Sequence, residues 1–168
     1  MKALDIANYI VCYASENHSE KPLTHLKLQK ILYYVTTEFL KNNLDIEVLY
    51  PERIEKWQFG PVVADVYNEF KTYGGKPITS PTSEIFFVED DLDFEIKDFD
   101  AASFETENES LVAVAKRVIE KLIIKDAFTL VDMTHQEKAW IDAEPKIKNG
   151  ERGLTYTSNE LREATNII

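Results

Sequence analysis

The chain begins with two segments in which apolar side chains recur every three or four positions. This spacing places them on one face of an α-helix. The first segment covers residues 3–16, and the second follows Thr24, a residue type that caps helix N-termini, and ends near Lys41. The inward faces of these two predicted helices carry Leu4, Ala7, Val11 and Ala14 in the first, and Leu28, Ile31, Leu32, Val35 and Phe39 in the second.

A third helix is predicted after a short segment rich in aromatic and branched residues. Residues 54–59 have the composition of an extended strand, and Gly60-Pro61 follows them. Glycine bends the chain and proline suits the first position of a helix, so the sequence predicts a helix from about Pro61 to Tyr73. Gly74-Gly75 ends it.

Residues 76–103 differ in character from the helical segments around them. They contain two prolines, an apolar run and an acidic stretch in which apolar residues alternate with polar ones. Such alternation is typical of a strand, so we expect an irregular or hairpin insert, with a small β-hairpin around residues 84–98 that turns at Asp90-Asp91. The acidic run from Glu89 to Asp93 lacks the glycine of a calcium-binding loop.

Capping signals predict the helices of the second half. A threonine followed three residues later by glutamate forms a reciprocal N-terminal cap. The predicted helices cover about 107–124, Asp126 to Met133, and His135 to Ala143, where Glu144-Pro145 closes the last one. A C-terminal tail, residues 150–168, carries a further short helix. The three capping pairs are Thr106 with Glu109, Thr134 with Glu137, and Thr157 with Glu160.

Together these elements predict a mainly α fold. The 168 residues, of which 44% are hydrophobic, suit one domain with a real core. We therefore expect a compact single-domain bundle over residues 1–168, built from about five to seven helices with one small hairpin.

Charge and composition narrow the classes of partner. With 19 basic and 30 acidic residues the net charge is −11, which repels phosphate backbones and suits a basic protein partner. We expect no direct binding to nucleic acid. No apolar run approaches the roughly 20 residues that span a bilayer, and the single cysteine, Cys12, has no partner for an internal disulfide. These features predict a cytoplasmic protein without a membrane segment.

The search for chemistry gives no catalytic, cofactor or metal site. His18, His25 and His135 are not at metal-ligand spacing, and the five glycines form no phosphate-binding loop. No nucleophile elbow or activated thiol setting is present. We therefore expect a protein that is not an enzyme, although thirty acidic residues leave paired carboxylates open as an alternative.

Two aromatic segments and a tyrosine pair have both a structural and a recognition interpretation. The segment Trp57 to Val63 is either a core anchor at a strand-to-helix corner or an interface anchor, because tryptophan and tyrosine dominate binding hot spots. The segment Thr134 to Trp140 is either a helix cap with a packed tryptophan or a protein-binding candidate, and its His135 is a weak acid–base candidate only if a second titratable group converges on it. Tyr33 and Tyr34 fit a half-buried core or a recognition surface equally well.

In order and spacing, these segments resemble the Panacea-domain family, the SocA-like antitoxins also labelled GepA-type or phage-associated proteins. The resemblance runs nearly end to end, except for residues 76–103 and the tail after Gly150. The segments that carry it are Ala7-Asn8-Tyr9-Ile10, residues 26–34 (LKLQKILYY), Trp57-Gln58-Phe59-Gly60-Pro61-Val62 with Val66-Tyr67, Tyr73-Gly74, and Thr134-His135 with Trp140.

The resemblance implies a helical antitoxin, encoded by bacteria, phages or prophages, that neutralises a toxin encoded by the neighbouring gene. The family pairs one neutralising domain with many unrelated toxins, and no catalytic residue is carried over from it. Alternatives are an adaptor that delivers the toxin to a ClpXP-type protease, a transcriptional regulator of its operon, and an unrecognised enzyme. Family-motif or protein-binding candidates are Lys27, Gln29, Lys30, Tyr33, Tyr34, Trp57, Phe59, Gly60, Pro61, Val62, Tyr67, Thr134, His135 and Trp140.

Overall fold

The helix that follows Thr24 lies at the centre of the molecule. The computed structural model describes residues 1–87 and 94–168, and within these ranges the fold is mainly α. The helices are α1 (Ala3–Asn17), α2 (His25–Asn42), α3 (Ala64–Phe70), α4 (Ala101–Glu107), α5 (Glu109–Leu122), α6 (Ala127–His135), α7 (Lys138–Ile141), α8 (Glu144–Lys148) and α9 (Ser158–Arg162). The strands are β1 (Ile54–Trp57), β2 (Gly60–Val63), β3 (Glu84–Phe87) and β4 (Phe94–Lys97).

Helix α2 is surrounded by other elements on all sides. It contacts α1, α3, α5, α6 and α9, and every residue from Lys27 to Leu40 is buried. Thr24 caps it as predicted, because its hydroxyl accepts a hydrogen bond from the backbone nitrogen of Lys27 at 3.4 Å. In the described part of the chain, no helix is both long and apolar enough to cross a membrane.

Strands β1 and β2 form a hairpin that replaces the predicted start of the third helix. Pro61 lies in β2 opposite Lys56, and the helix begins only at Ala64. Gly60 has a φ of +90°, which lets the chain reverse after the two-residue turn of Gln58 and Phe59. The proline costs no ladder bond there, since the Lys56 amide bonds the Leu154 carbonyl on the other edge of β1 instead. The predicted end of the third helical segment at Gly74 is confirmed, because a 3-10 turn over Lys71–Tyr73 follows α3 and Gly74 caps it.

The C-terminal tail adds an extended segment to the outer edge of β1. The backbone nitrogen of Lys56 donates to the Leu154 carbonyl at 2.7 Å, and that of Tyr156 donates to the Ile54 carbonyl at 2.9 Å. The capping pair Thr157 and Glu160 then opens α9, as the sequence predicts. Both edges of the first hairpin are therefore covered, one by this tail and the other by α2.

The hairpin predicted around residues 84–98 is confirmed. Strands β3 and β4 pair antiparallel, with Glu84 opposite Lys97 and Phe87 opposite Phe94. Its predicted turn at Asp90-Asp91 and the whole acidic run of residues 89–93 lie in residues 88–93, outside the described residues.

Two of the three predicted capping pairs are wrong. Thr106 lies inside α4 and its hydroxyl donates to the Ala102 carbonyl at 3.0 Å, while Asp100 caps that helix. Thr134 lies inside α6 and donates to the Val131 carbonyl at 2.8 Å. A threonine hydroxyl bonds a carbonyl of its own helix as readily as it caps the next one, so spacing alone does not separate the two cases.

The boundaries near these threonines shift accordingly. The helix predicted over 107–124 corresponds to α5, which begins at Glu109 and buries Leu111, Ala115, Val118, Ile119 and Leu122 as one apolar face. Helix α4 precedes it as a separate helix that was not predicted, and ends at Glu107. The helix predicted from His135 to Ala143 is the shorter α7, Lys138–Ile141. Glu144-Pro145 begins α8 instead of closing a helix, because proline is tolerated in the first helical turn.

Candidate functional site

Two side chains of α2 fix the first hairpin in place. Gln29 accepts a hydrogen bond through Oε1 from the backbone nitrogen of Val63, and Lys30 donates through Nζ to the Pro61 carbonyl, both at 2.9 Å. These backbone groups of β2 face away from β1, where a third strand would otherwise pair. The central helix therefore satisfies the outer edge of β2 with side chains.

Gly60 is the point of closest approach between this hairpin, α2 and α6. A Cβ at position 60 would lie 2.4 Å from the Thr134 hydroxyl oxygen and 3.2 Å from Cε of Lys30. Only a residue without a side chain fits this space, and the positive φ adds to the requirement. Gly60, Lys30 and Thr134 thus form one tightly packed junction.

Lys30 is wholly buried and has a carbonyl oxygen, not a carboxylate, as its hydrogen-bond acceptor. Its side chain has an exposed fraction of 0%. Removal of the ammonium from water lowers the pKa of Lys30 from 10.5 to about 7, so the buried amine is partly neutral near neutral pH.

This shift predicts a rise in stability with pH. The pKa is lower in the folded than in the unfolded chain, so the unfolded chain binds more protons between pH 7 and 10.5. From about pH 7.5 to about pH 9, the free energy of unfolding should rise by about 2 kcal/mol relative to Lys30→Met. Urea titrations at each pH measure the free energy of unfolding of both proteins. The contribution of the buried tyrosines is common to both and cancels in the difference. Parallel pH curves would contradict this prediction.

The segment Thr134 to Trp140 packs against the first hairpin. The indole nitrogen of Trp140 donates to the Trp57 carbonyl at 3.0 Å, and the His135 ring stacks on Trp140 with 3.6 Å between ring centroids. Burial lowers the pKa of His135, and nearby Lys30 lowers it further. Thr134 and Trp140 are buried. Both side chains therefore lie where packed structural residues lie, and not on an exposed binding surface.

The candidates Lys27, Tyr33 and Tyr34 are also buried. The Lys27 ammonium donates to the Ile123 carbonyl at 2.6 Å, at the C-terminal end of α5. The Tyr33 hydroxyl donates to Glu137 at 2.5 Å, and burial raises the pKa of both tyrosines. Burial also raises the pKa of Glu137, which the Tyr33 hydrogen bond opposes. These buried side chains stabilise the core and do not contact a partner directly. They can affect binding only by positioning exposed residues.

A cleft of about 420 Å³ opens beside the first hairpin, and we name it the aromatic cleft after His25, Trp57, Phe59 and Tyr67. The rings of Trp57 and His25 lie 4.9 and 4.7 Å from that of Tyr67. Phe59, at the tip of the turn, has an exposed fraction of 51%. Gln29 and Val62 also line this side, while Ile147, Glu151 and Arg152 line the other.

Some polar groups around the aromatic cleft have partners, whereas Nε2 of His25 and Nε2 of Gln29 are buried without a hydrogen-bond partner among the described residues. Lys56 is paired with Glu160 at 2.6 Å, and the Trp57 indole donates to Glu55 at 2.7 Å. Burial lowers the pKa of His25, with a further contribution from Lys30. The arrangement suits contact with an apolar partner surface rather than proton transfer, because its ionisable groups are tied or exposed rather than convergent.

A second cleft of the described chain lies away from the candidate residues. A cleft of about 520 Å³ lies between α1 and α4, with Asp5, Asp98 and Asp100 in its lining, and none of the motif candidates reaches it. Residues 1–87 and 94–168 contain no group of three or more His, Cys, Asp or Glu side chains that could hold a metal ion.

Sequence reasoning found one side of the aromatic cleft and missed the other. Trp57, Phe59 and Tyr67 were candidates, and the structure brings them together. His25 was missed, although it lies four residues before Gln29 and hence on the same helix face. The residues of 147–153 carry no local signal of their position, because the pairing of the tail with β1 places them there.

The chain matches a known protein family. A sequence model of the family described as "Antitoxin SocA-like, Panacea domain" matches residues 28–141, well over half of the chain. This span includes the first hairpin, the Gly60 junction, and the Trp57, Phe59 and Tyr67 side of the aromatic cleft. No curated protein and no solved structure matches the chain.

Proposed function

Because the chain belongs to the family of SocA-like antitoxins with a Panacea domain, we propose that it neutralises a toxin by binding it directly, without catalysis. The observation that carries this proposal is the side of the aromatic cleft formed by Trp57, Phe59 and Tyr67, which lies within the family span. Phe59 exposes half of its surface there, beside the rings of Trp57 and Tyr67. Aromatic side chains in a preformed pocket are the usual anchors of protein interfaces.

The rigid support of the cleft favours binding. The hairpin that carries Trp57 and Phe59 is tied to α2 through Gln29 and Lys30, and to α7 through Trp140. Anchors that are already fixed lose little conformational entropy when a partner arrives. The buried motif candidates thus support recognition by holding the exposed ones.

The charge of the chain indicates the character of the toxin. A net charge of −11 favours a basic partner through long-range attraction, and raises the rate of encounter more than the final affinity. We therefore propose a basic toxin, encoded by the neighbouring gene and met in the cytoplasm. Association should slow as salt concentration rises.

Co-expression with the neighbouring gene tests this function. The neighbour alone should arrest growth, and this chain should restore growth while the toxin half-life stays unchanged. Relief that needs a ClpXP-type protease and shortens the toxin half-life would instead assign an adaptor role. A neighbour without toxicity, or toxicity that this chain does not relieve, would contradict the proposal.

A further inference from the structure

One side of the aromatic cleft lies outside the family span. Trp57, Phe59 and Tyr67 lie within residues 28–141, whereas Ile147 and the segment up to Gly153 on the opposite side lie beyond it. The cleft therefore combines a side within the family span with a side that the family match does not include.

The second side has a defined position. The Glu151 amide donates to the Lys146 carbonyl at 3.0 Å, at the end of α8. Just after it, the Lys56 amide donates to the Leu154 carbonyl at 2.7 Å, which ties the segment to β1. Residues 147–153 are thus fixed to α8 at one end and, at the other end, to the hairpin that carries the aromatic anchors.

The exposed side chains of this segment can vary without disturbing the core. These are Glu151 and Arg152, whereas Gly150 and Gly153 have φ values of +82° and +73° that favour glycine and fix the course of the backbone. A fixed backbone with unconstrained side chains suits a surface that selects among partners.

Glu151 and Arg152 are the two exposed charges on this surface, and Arg152 is the cleft's cation without an ion pair among the described residues. Among the described residues that line the cleft, Lys56 is paired with Glu160 and the pKa of His25 is lowered, so the neutral ring is favoured. Arg152 is exposed, and its guanidinium has no ion pair within the described chain. A planar guanidinium matches a carboxylate through two parallel hydrogen bonds.

We infer that residues 147–153 select the partner, and that Arg152 contacts a carboxylate on the toxin segment whose apolar side chain occupies the aromatic cleft. This inference rests on the proposed function. The toxin is basic overall, and an acidic residue on the docking segment sets its register, because the same position in a wrong partner leaves Arg152 unpaired.

Titration of purified toxin into Arg152→Glu tests the inference. We expect about tenfold weaker binding, since a charge reversal turns attraction into repulsion. Arg117→Glu, an equally charged change at an exposed position of α5, should stay within about twofold of the wild type. Among toxin variants with single acidic residues changed to lysine, one should restore binding to Arg152→Glu.

The outcomes separate the two proposals. If Phe59→Ala loses binding while Arg152→Glu keeps wild-type affinity, the proposed function stands and the selection by Arg152 is wrong. If the wild type binds no toxin, both are wrong. A dimer of this chain that Arg152→Glu dissociates would assign the cleft to a second copy and overturn the inference.

Discussion

Gly60→Ala is expected to lower the free energy of unfolding by about 4 kcal/mol. Two costs combine. A non-glycine residue at a φ of +90° is strained by about 1–2 kcal/mol. The new Cβ also overlaps the Thr134 hydroxyl at 2.4 Å, so α6 or the hairpin has to shift.

Urea unfolding and thermal unfolding measure this loss, which corresponds to a melting temperature lower by about 10 °C. Gly150→Ala is the matched control, because Gly150 has a φ of +82° and no heavy atom within 4 Å of its added Cβ. It should lose only about 1–2 kcal/mol. Equal losses at both positions would mean that the junction of Gly60, Lys30 and Thr134 is looser than the distances indicate.

Phe59→Ala is expected to weaken toxin binding about 100-fold, or about 2.7 kcal/mol, while stability stays within about 1 kcal/mol of the wild type. Phe59 exposes 51% of its surface, so truncation removes little from the core. If the cleft is the docking site, the same truncation removes an anchor that becomes buried in the complex.

Phe128→Ala is the control for this prediction. Phe128 lies on α6, is 64% exposed, and does not line the aromatic cleft. Calorimetric titration should show wild-type affinity for it. Equal affinity of the wild type and Phe59→Ala would place the interface elsewhere, and equal weakening by both variants would indicate a broad apolar surface instead of the cleft.

The helices could be predicted where their signals are local. Periodic apolar positions and Thr24 define α2, and the pair Thr157 and Glu160 defines α9, because these groups bond within one or two turns of each other. Asp126 capped its helix for the same reason. The prediction of a mainly α fold followed from these segments and is confirmed.

The first hairpin could not be predicted locally. Gly60-Pro61 suits a helix start as well as a strand, and the choice depends on distant groups. Gln29 and Lys30 on α2 bond the outer edge of β2, and Leu154 bonds the far edge of β1. The same reason explains Thr134, whose sequence neighbours suggest a cap while its position against Gly60 places it in the core.

The sequence predicts one side of the aromatic cleft and not the other. Trp57 and Phe59 are adjacent to the Gly60-Pro61 turn signal, which makes them candidate anchors. The sequence does not predict that Phe59 is exposed while Trp140 is buried. The opposite side is formed by residues that are distant in sequence and are placed by tertiary pairing alone. No periodicity or motif marks Arg152.

The central claim is direct binding of a toxin at the aromatic cleft, and a titration of the purified neighbouring toxin into purified wild-type chain tests it most directly. We expect a saturable complex without any protease or nucleic acid present, in which the cleft residues Trp57, Phe59 and Tyr67 become protected from solvent. Relief of toxicity in cells without a complex between the purified proteins would contradict it.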